Sequence, residues 1–528
     1  MKVNLKPYFI WLLPLFLSLL IQGFSFGWNR VVLGNALENF FSLLILVSFS
    51  LLFKVRVRKI LQSIFYIYWS LSCLIETIYY FIFKANLSAS SIYILLETNL
   101  AESKEFLEFY LHPKILIMII GYIILIIIFF QQKLILKLNT LGLLRKLSLL
   151  VVLILSTLFL FKKGYIQYNF AYLTLKSIKE YVEEYKKIES FHIDQPIVDI
   201  EEFKFNDSIK QATYVLILGE STTRERLSIY SYSRNTTPYL KSIESDLLIY
   251  ENVISPHAFT IGSLKKVLTL NGLNSDNDFS IIQLMNQAGF KTFWLSNQRP
   301  IGEYESLVTK IASASDNYLV KNTALDGSIT PYDEVLLPLL QQALEDEAPL
   351  KFIVLHPLGT HMRYSDRYPA SFSKFVGESF SNFNHSRAHS LSNAYDNSIL
   401  YHDYFLKQVH QKIISLDEAA YMLYLSDHGE EVFTDIDFAG HLDDNPTQSM
   451  FEIPFFLWMN PKFKKLKPIK LNIKEAYTTN DFMHSFADLN SIRFKCYNPE
   501  KSIFSKEFKP ARRIITKGFD FDQYFKNE

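Results

Sequence analysis

The segment Tyr214-Val215-Leu216-Ile217-Leu218-Gly219-Glu220-Ser221 decides the fold of the second half of this chain. Its five leading residues are all apolar or aromatic, which predicts a strand buried on both faces rather than a half-exposed one. A glycine and a carboxylate follow at once. Four more runs have the same character, at 291–295 (KTFWL), 352–356 (FIVLH), 421–425 (YMLYL) and 453–458 (IPFFLW), with helical patterns between them. Doubly buried strands alternating with helices predict a largely parallel sheet covered by helices, an α/β domain. In such sheets ligands gather outside the carboxyl ends of the strands.

The residues at those ends are rich in donors. The first strand runs into Glu220, the third into 356–369 (HPLGTHMRYSDRYP) with His361, and the fourth into Asp427-His428-Gly429-Glu430; Gly440-His441 precedes the fifth. Taken singly, each has a plain explanation: a hydrogen-bonded loop pair, a helix start, a surface histidine. Together they form an oxygen and nitrogen donor set without sulfur, which suits zinc and predicts a metal centre. The segment 253–268 (VISPHAFTIGSLKKVL) begins extended and becomes helical near Ile261, placing Thr260 at the N-cap. There its hydroxyl either caps the helix, worth about 1 kcal/mol, or serves as a nucleophile stabilised by a neighbouring ion and the helix N–H groups.

The first part of the 528-residue chain is different. Five apolar stretches, near 8–27, 37–54, 61–83, 114–132 and 147–162, are each close to the ~20 residues that cross a hydrocarbon core. Lys54, Arg56, Arg58 and Lys59 fill the second connection and Lys133, Lys137, Arg145 and Lys146 the fourth, so both face the cytoplasm by the positive-inside rule. This predicts a cytoplasmic N-terminus and an outward domain. The acidic third connection contains an amphipathic run, 93–107, expected to lie on the outer membrane surface; a second, with Leu175, Ile178, Val182 and Tyr185 on one face, follows the fifth span. The expected organisation is thus a membrane domain over 1–165, a bridge over 166–210 and a catalytic domain over 211–528.

Composition excludes several classes. Fifty-four Lys+Arg against 53 Asp+Glu give a formal charge of +1, which offers no basic field for nucleic acid. Two cysteines, Cys73 and Cys496, cannot build a disulfide framework or a C-x-x-C metal site. The positive mean hydropathy of +0.10 averages a lipid-soluble half and a water-soluble one. The basic pairs in 464–467 and at Arg512-Arg513 read as solvated surface.

Five spans followed by an α/β domain with Gly219-Glu220-Ser221, Tyr232-x-Arg234, His356-x-x-Gly-x-His361 and Ser426-Asp427-His428-Gly429-Glu430 resemble the phosphoethanolamine transferases. That family forms a sulfatase-like branch of the alkaline-phosphatase superfamily. The resemblance implies zinc held by Glu220, Thr260, Asp427 and His428, with Thr260 as nucleophile, and His361 and His441 near the transferred phosphate. It also implies substrate-side roles for Asn297, Gln298, Thr98 and Glu102, although Ile94 departs from the polar residue often found there. The implied protein is a monomeric multi-pass enzyme of a bacterial inner membrane with a periplasmic catalytic domain. Phosphatidylethanolamine would be its donor and lipopolysaccharide, at lipid A or an inner-core sugar, its acceptor. Scarcity of cysteine resembles the branch acting on the core. Two other readings are a glycerophosphate transferase of the lipoteichoic-acid-synthase type and a catalytically inactive envelope scaffold.

Overall fold

The computed structural model describes residues 6–28, 30–83, 104, 107–131, 143–162, 170–191, 200–203, 210–274, 278–298, 307–322, 330–469 and 472–527. Thr98, Glu102 and most of the amphipathic run 93–107 lie outside the described residues. The chain divides into two compact units, one comprising Met1–Thr98 and Tyr110–Glu183, the other Asn99–Phe109 and Glu184–Glu528.

The first unit is built on apolar helices: α1 (Lys6–Phe26), α2 (Arg30–Leu51), α3 (Val55–Phe83), α4 (Pro113–Gln131) and α5 (Leu143–Lys162). Among the described residues three are long and apolar enough to cross a membrane, Val32–Leu51, Val55–Phe83 and Pro113–Gln131, while Phe9–Phe24 and Leu147–Leu158 are shorter apolar helices. Pro14 lies inside α1 and has no N–H for the carbonyl of Ile10. Tyr66 on α3 donates to that carbonyl at 3.3 Å, and Trp69 donates to the Trp11 carbonyl at 3.2 Å. Freed backbone acceptors in an apolar unit need such partners. The next helix, α6 (Phe170–Ser190), buries Leu173 and Ile188 but leaves Leu175, Ile178, Val182 and Tyr185 exposed.

The second unit is organised by a seven-stranded sheet: β1 (Ala212–Gly219), β2 (Leu247–Tyr250), β3 (Lys291–Ser296), β4 (Asn317–Val320), β5 (Leu350–His356), β6 (Ala419–Ser426) and β7 (Phe455–Met459). Their spatial order is β2-β7-β6-β1-β5-β3-β4. β1 lies at the centre, parallel to β5 and β6. Alternation then sorts the side chains. Tyr214, Leu216 and Leu218 enter one core with Trp294, Val354 and Leu423. Val215 and Ile217 enter the other with Leu295, Leu355 and Met422, beneath the long helix α8 (Ser386–Ile414).

All five expected strands form, with two differences. β7 runs antiparallel to both its neighbours and starts at Phe455, after Pro454, which has no donor for a ladder. The edge strands β2 and β4 were not expected: they are four residues each, and β4 is only half-buried, so they lack a continuous apolar signal.

His402 on α8 is buried, its ring lies 5.5 Å from that of Tyr424, and neither ring nitrogen has a hydrogen-bond partner. Burial pushes its pKa down to about 4 from 6.5. The neutral ring's contribution is therefore complete above pH 6.5 and is lost as pH falls toward 4, up to about 3 kcal/mol. In acid thermal-unfolding scans, His402→Phe is expected to flatten the decline of the soluble unit's transition between pH 6.5 and 4 relative to the parent.

Candidate metal centre and active site

Adjacent parallel strands bring the donors together. β1 and β6 pair with Gly219 opposite Ser426, so Glu220 and Asp427, the next residue on each, leave the sheet side by side. Ser221 takes a positive φ of 53°, uncommon for a residue with a side chain and a form of strain found at functional sites. Its N–H donates to Asp427 Oδ1 at 3.0 Å and its hydroxyl to Glu220 Oε1 at 2.7 Å. Gly359, with φ +56°, crosses so close that a Cβ there would stand 2.9 Å from the Glu220 carbonyl oxygen. Tyr395 of α8 donates to the Ser221 carbonyl and accepts from the Thr223 N–H.

Glu220, Asp427 and His428 are buried, and one donor atom of each lies within 4.8 Å of the others. His428 donates from Nδ1 to the Gly429 carbonyl at 2.7 Å. That bond leaves Nε2 facing the carboxylates, as second-shell bonds do for metal-binding histidines. Among the described residues Asp427 Oδ2 is buried without a hydrogen-bond donor, with His428 Nε2 3.3 Å away. Burial and then the Glu220 charge push the Asp427 pKa up to about 7. Burial alone would lower the His428 pKa, but Asp427 and Glu220 raise it to about 10. Burial alone would raise the Glu220 pKa, yet the His428 hydrogen bond and the charges of His361 and His428 hold it well below the usual carboxylate range. The group calls for positive charge at its centre, and its donors fit a zinc ion.

Thr260 is not the N-cap the sequence suggested. Phe259 occupies that position and Thr260 is the first residue of α7 (Thr260–Leu268). Its Oγ1 turns instead toward the acidic group, 3.3 and 3.5 Å from the Glu220 oxygens and 3.4 Å from His428 Nε2. Ser263, one turn on, anchors α7 to the Asp427 carbonyl.

The remaining sequence-derived residues fall around this point. His441 pairs through Nδ1 with Glu430 at 2.6 Å, and its ring lies 4.2 Å from that of His428. His428, Glu430 and His441 form a second donor group sharing His428. His361 is near enough for its charge to act on Glu220. Gln298 Nε2 reaches Glu220 Oε2 at 3.3 Å, whereas Asn297 gives its amide to Asp333 and the Pro331 carbonyl. Sequence reading passed over Glu430, Tyr364, which donates to it, and Tyr395. Glu430 stood inside the quoted Ser-Asp-His-Gly-Glu motif and Tyr364 inside the quoted 356–369 run, though neither was given a role; Tyr395 is far from both in sequence and carried no signal.

Residues 212–492 match the family model described as Sulfatase. Across 97% of its length the chain is 28% identical to phosphoethanolamine transferase EptC of Escherichia coli, strain RS218, covering 95% of that protein. The crystal structure of the periplasmic domain of E. coli EptC, in complex with Zn, is 30% identical and superposes with a TM-score of 0.59, covering 62% of this chain and 96% of that one. The fold of the integral membrane protein lipooligosaccharide phosphoethanolamine transferase A from Neisseria meningitidis is shared over 94% of this chain and 97% of that one, with a TM-score of 0.69 at 18% identity.

The donor arrangement predicts that a strong chelator lowers the soluble unit's unfolding midpoint by on the order of 5 °C, as loss of a tightly bound ion does. In Asp427→Asn the shift should vanish and metal content by elemental mass spectrometry should fall.

Proposed function

Because the chain belongs to the sulfatase family and, within it, to the phosphoethanolamine transferases, we propose that Thr260 carries the phosphoethanolamine group covalently between a phosphatidylethanolamine donor and a lipopolysaccharide acceptor. The observation that carries this reading is the Thr260 hydroxyl, turned from capping to lie against Glu220 and His428.

Glu220, Thr260, Asp427 and His428 would hold zinc, which would supply Lewis acidity toward the threonine hydroxyl and a phosphoryl oxygen. Thr260 Oγ1 forms the bond to phosphorus while the bond to the diacylglycerol oxygen breaks, and the threonine proton ends on diacylglycerol. The acceptor oxygen then attacks phosphorus, Thr260 leaves, and the acceptor's proton returns to it. His441, oriented by Glu430, and His361 are placed to move these protons or to hold phosphoryl oxygens. The hydrogen bond from Gln298 to the Glu220 carboxylate supports a substrate-side role for it. Asn297, Thr98 and Glu102 keep the substrate-side roles that the resemblance implies.

Five spans with a cytoplasmic N-terminus in a bacterial inner membrane would put the catalytic unit in the periplasm, close to two lipid substrates. The exposed stripe of α6 suits contact with the bilayer surface. Both cysteines are free, in keeping with the branch that acts on core sugars.

Intact-protein and peptide mass spectrometry after incubation with head-group-labelled phosphatidylethanolamine is expected to find one phosphoethanolamine on Thr260. Thr260→Ala should abolish the adduct and lower turnover by ~10³-fold or more. Lipid turnover with no adduct, or an adduct elsewhere, would overturn the covalent route.

A further inference from the structure

A cavity of about 250 Å³ opens beside α7, lined by Pro256, His257, Lys266, Thr478, Asn480, Asp481 and Arg512 together with Ile514 and Ile515. It is constructed by topology. The short strands Val253–Ile254 and Tyr477–Thr478 pair in parallel, so the chain leaves both at the same end, and the residues that follow them wall the cavity. Carboxyl ends of paired parallel strands are the common location for ligands in α/β domains.

The cavity shares α7 with the nucleophile but opens on another face of that helix, and none of the metal-binding group lines it. His257 packs on the first turn of α7, where a Cβ on Gly262 would stand 2.8 Å from His257 Cγ. Asp443 fixes that corner: it accepts from the Ala258 N–H at 2.9 Å and pairs with His257 Nδ1 at 3.1 Å, leaving Nε2 for another partner. Lys266 lies six residues after Thr260 on the same helix, about 9 Å along its axis.

The lining has a definite charge. Lys266 forms no ion pair among the described residues, and burial, then the charge of Lys265, lower its pKa; an anion nearby would offset both. Among the described residues Arg512 gives only Nε to Asp520, at 2.8 Å, so its exposed terminal nitrogens are available at the rim of the cavity. The one lining carboxylate, Asp481, is already paired with Lys501 at 3.1 Å. The cavity's two cationic side chains repel the ethanolammonium end of the donor. Its volume, below the ~300–1,000 Å³ of sites for drug-sized molecules, suits a single sugar ring with an anionic substituent.

We propose that this cavity binds the acceptor, seating an anionic sugar with Lys266 and Arg512 on its phosphate or carboxylate and His257, Thr478 and Asn480 on its hydroxyls. The inference rests on the reading of Thr260 as carrier of the transferred group. The sugar that receives phosphoethanolamine would be this residue or its neighbour in the chain.

The test separates the two half-reactions in the full-length enzyme in detergent. Adduct formation on Thr260 from labelled phosphatidylethanolamine, without acceptor, is compared with transfer to purified lipopolysaccharide, native or enzymatically dephosphorylated. Lys266→Ala and Arg512→Ala are each expected to raise the acceptor KM about tenfold or more, as loss of a charge-assisted hydrogen bond does, while the adduct still forms. Lys266→Arg should restore most of the loss. If dephosphorylation raises the KM of the parent and leaves the variants unaffected, the anion is a phosphate; if only the variants lose affinity, it is a carboxylate. An unchanged acceptor KM in both variants, or equal loss of adduct and transfer, would overturn the acceptor site. Failure of the parent to form an adduct would instead overturn the reading on which it rests.

Discussion

Glu220 and Asp427 emerge from neighbouring parallel strands and are buried within a few ångströms of each other. Two carboxylates so placed cannot both stay ionised without positive charge between them, because the Coulomb cost rises steeply as water is excluded. His428 meets part of the demand, and its raised pKa measures how strong the demand is. Much of the surrounding backbone serves to hold this charged point. Ser221 accepts a left-handed conformation, Gly359 passes where no side chain fits, and α8 sends Tyr395 to the Ser221 carbonyl.

The same demand explains why Thr260 abandons its helix cap. A hydroxyl at the first turn of α7 could satisfy a backbone N–H, yet Oγ1 faces Glu220 and His428, where a cation would also stabilise its deprotonated form. Chemistry is thus placed where helix N–H groups, strand ends and buried carboxylates coincide. The cavity farther along α7 then separates what reacts from what is recognised.

Much of this was legible in the sequence, for a physical reason. Buried parallel strands such as 214–218 must be continuously apolar, and their ends must be polar, so both fold class and donor residues stand out. Glu220, Asp427, His428 and His441 were each found in this way. Thr260 was found but placed one residue early, because its side chain answers to groups 40 and 168 positions away rather than to its own helix. Tyr364 stood unassigned within the 356–369 run, while Tyr395 and the β4 edge carry no local pattern, since their roles exist only after the chain has folded. The α7 cavity was hidden for the same reason; of the two arginines read as solvated surface, Arg512 is exposed as expected, while Arg513 is buried in a pair with Asp522. Among the described residues three helices meet the length and hydropathy of a span where five were expected.

The central claim is that the buried acidic group at the ends of β1 and β6 is a zinc site with Thr260 at its edge. Anomalous diffraction above and below the zinc absorption edge, from crystals of the zinc-loaded protein, tests it most directly. The account predicts a zinc peak bounded by Glu220, Asp427 Oδ2, His428 Nε2 and Thr260 Oγ1. A site with no anomalous density there, or zinc bound only elsewhere on the protein, would contradict it.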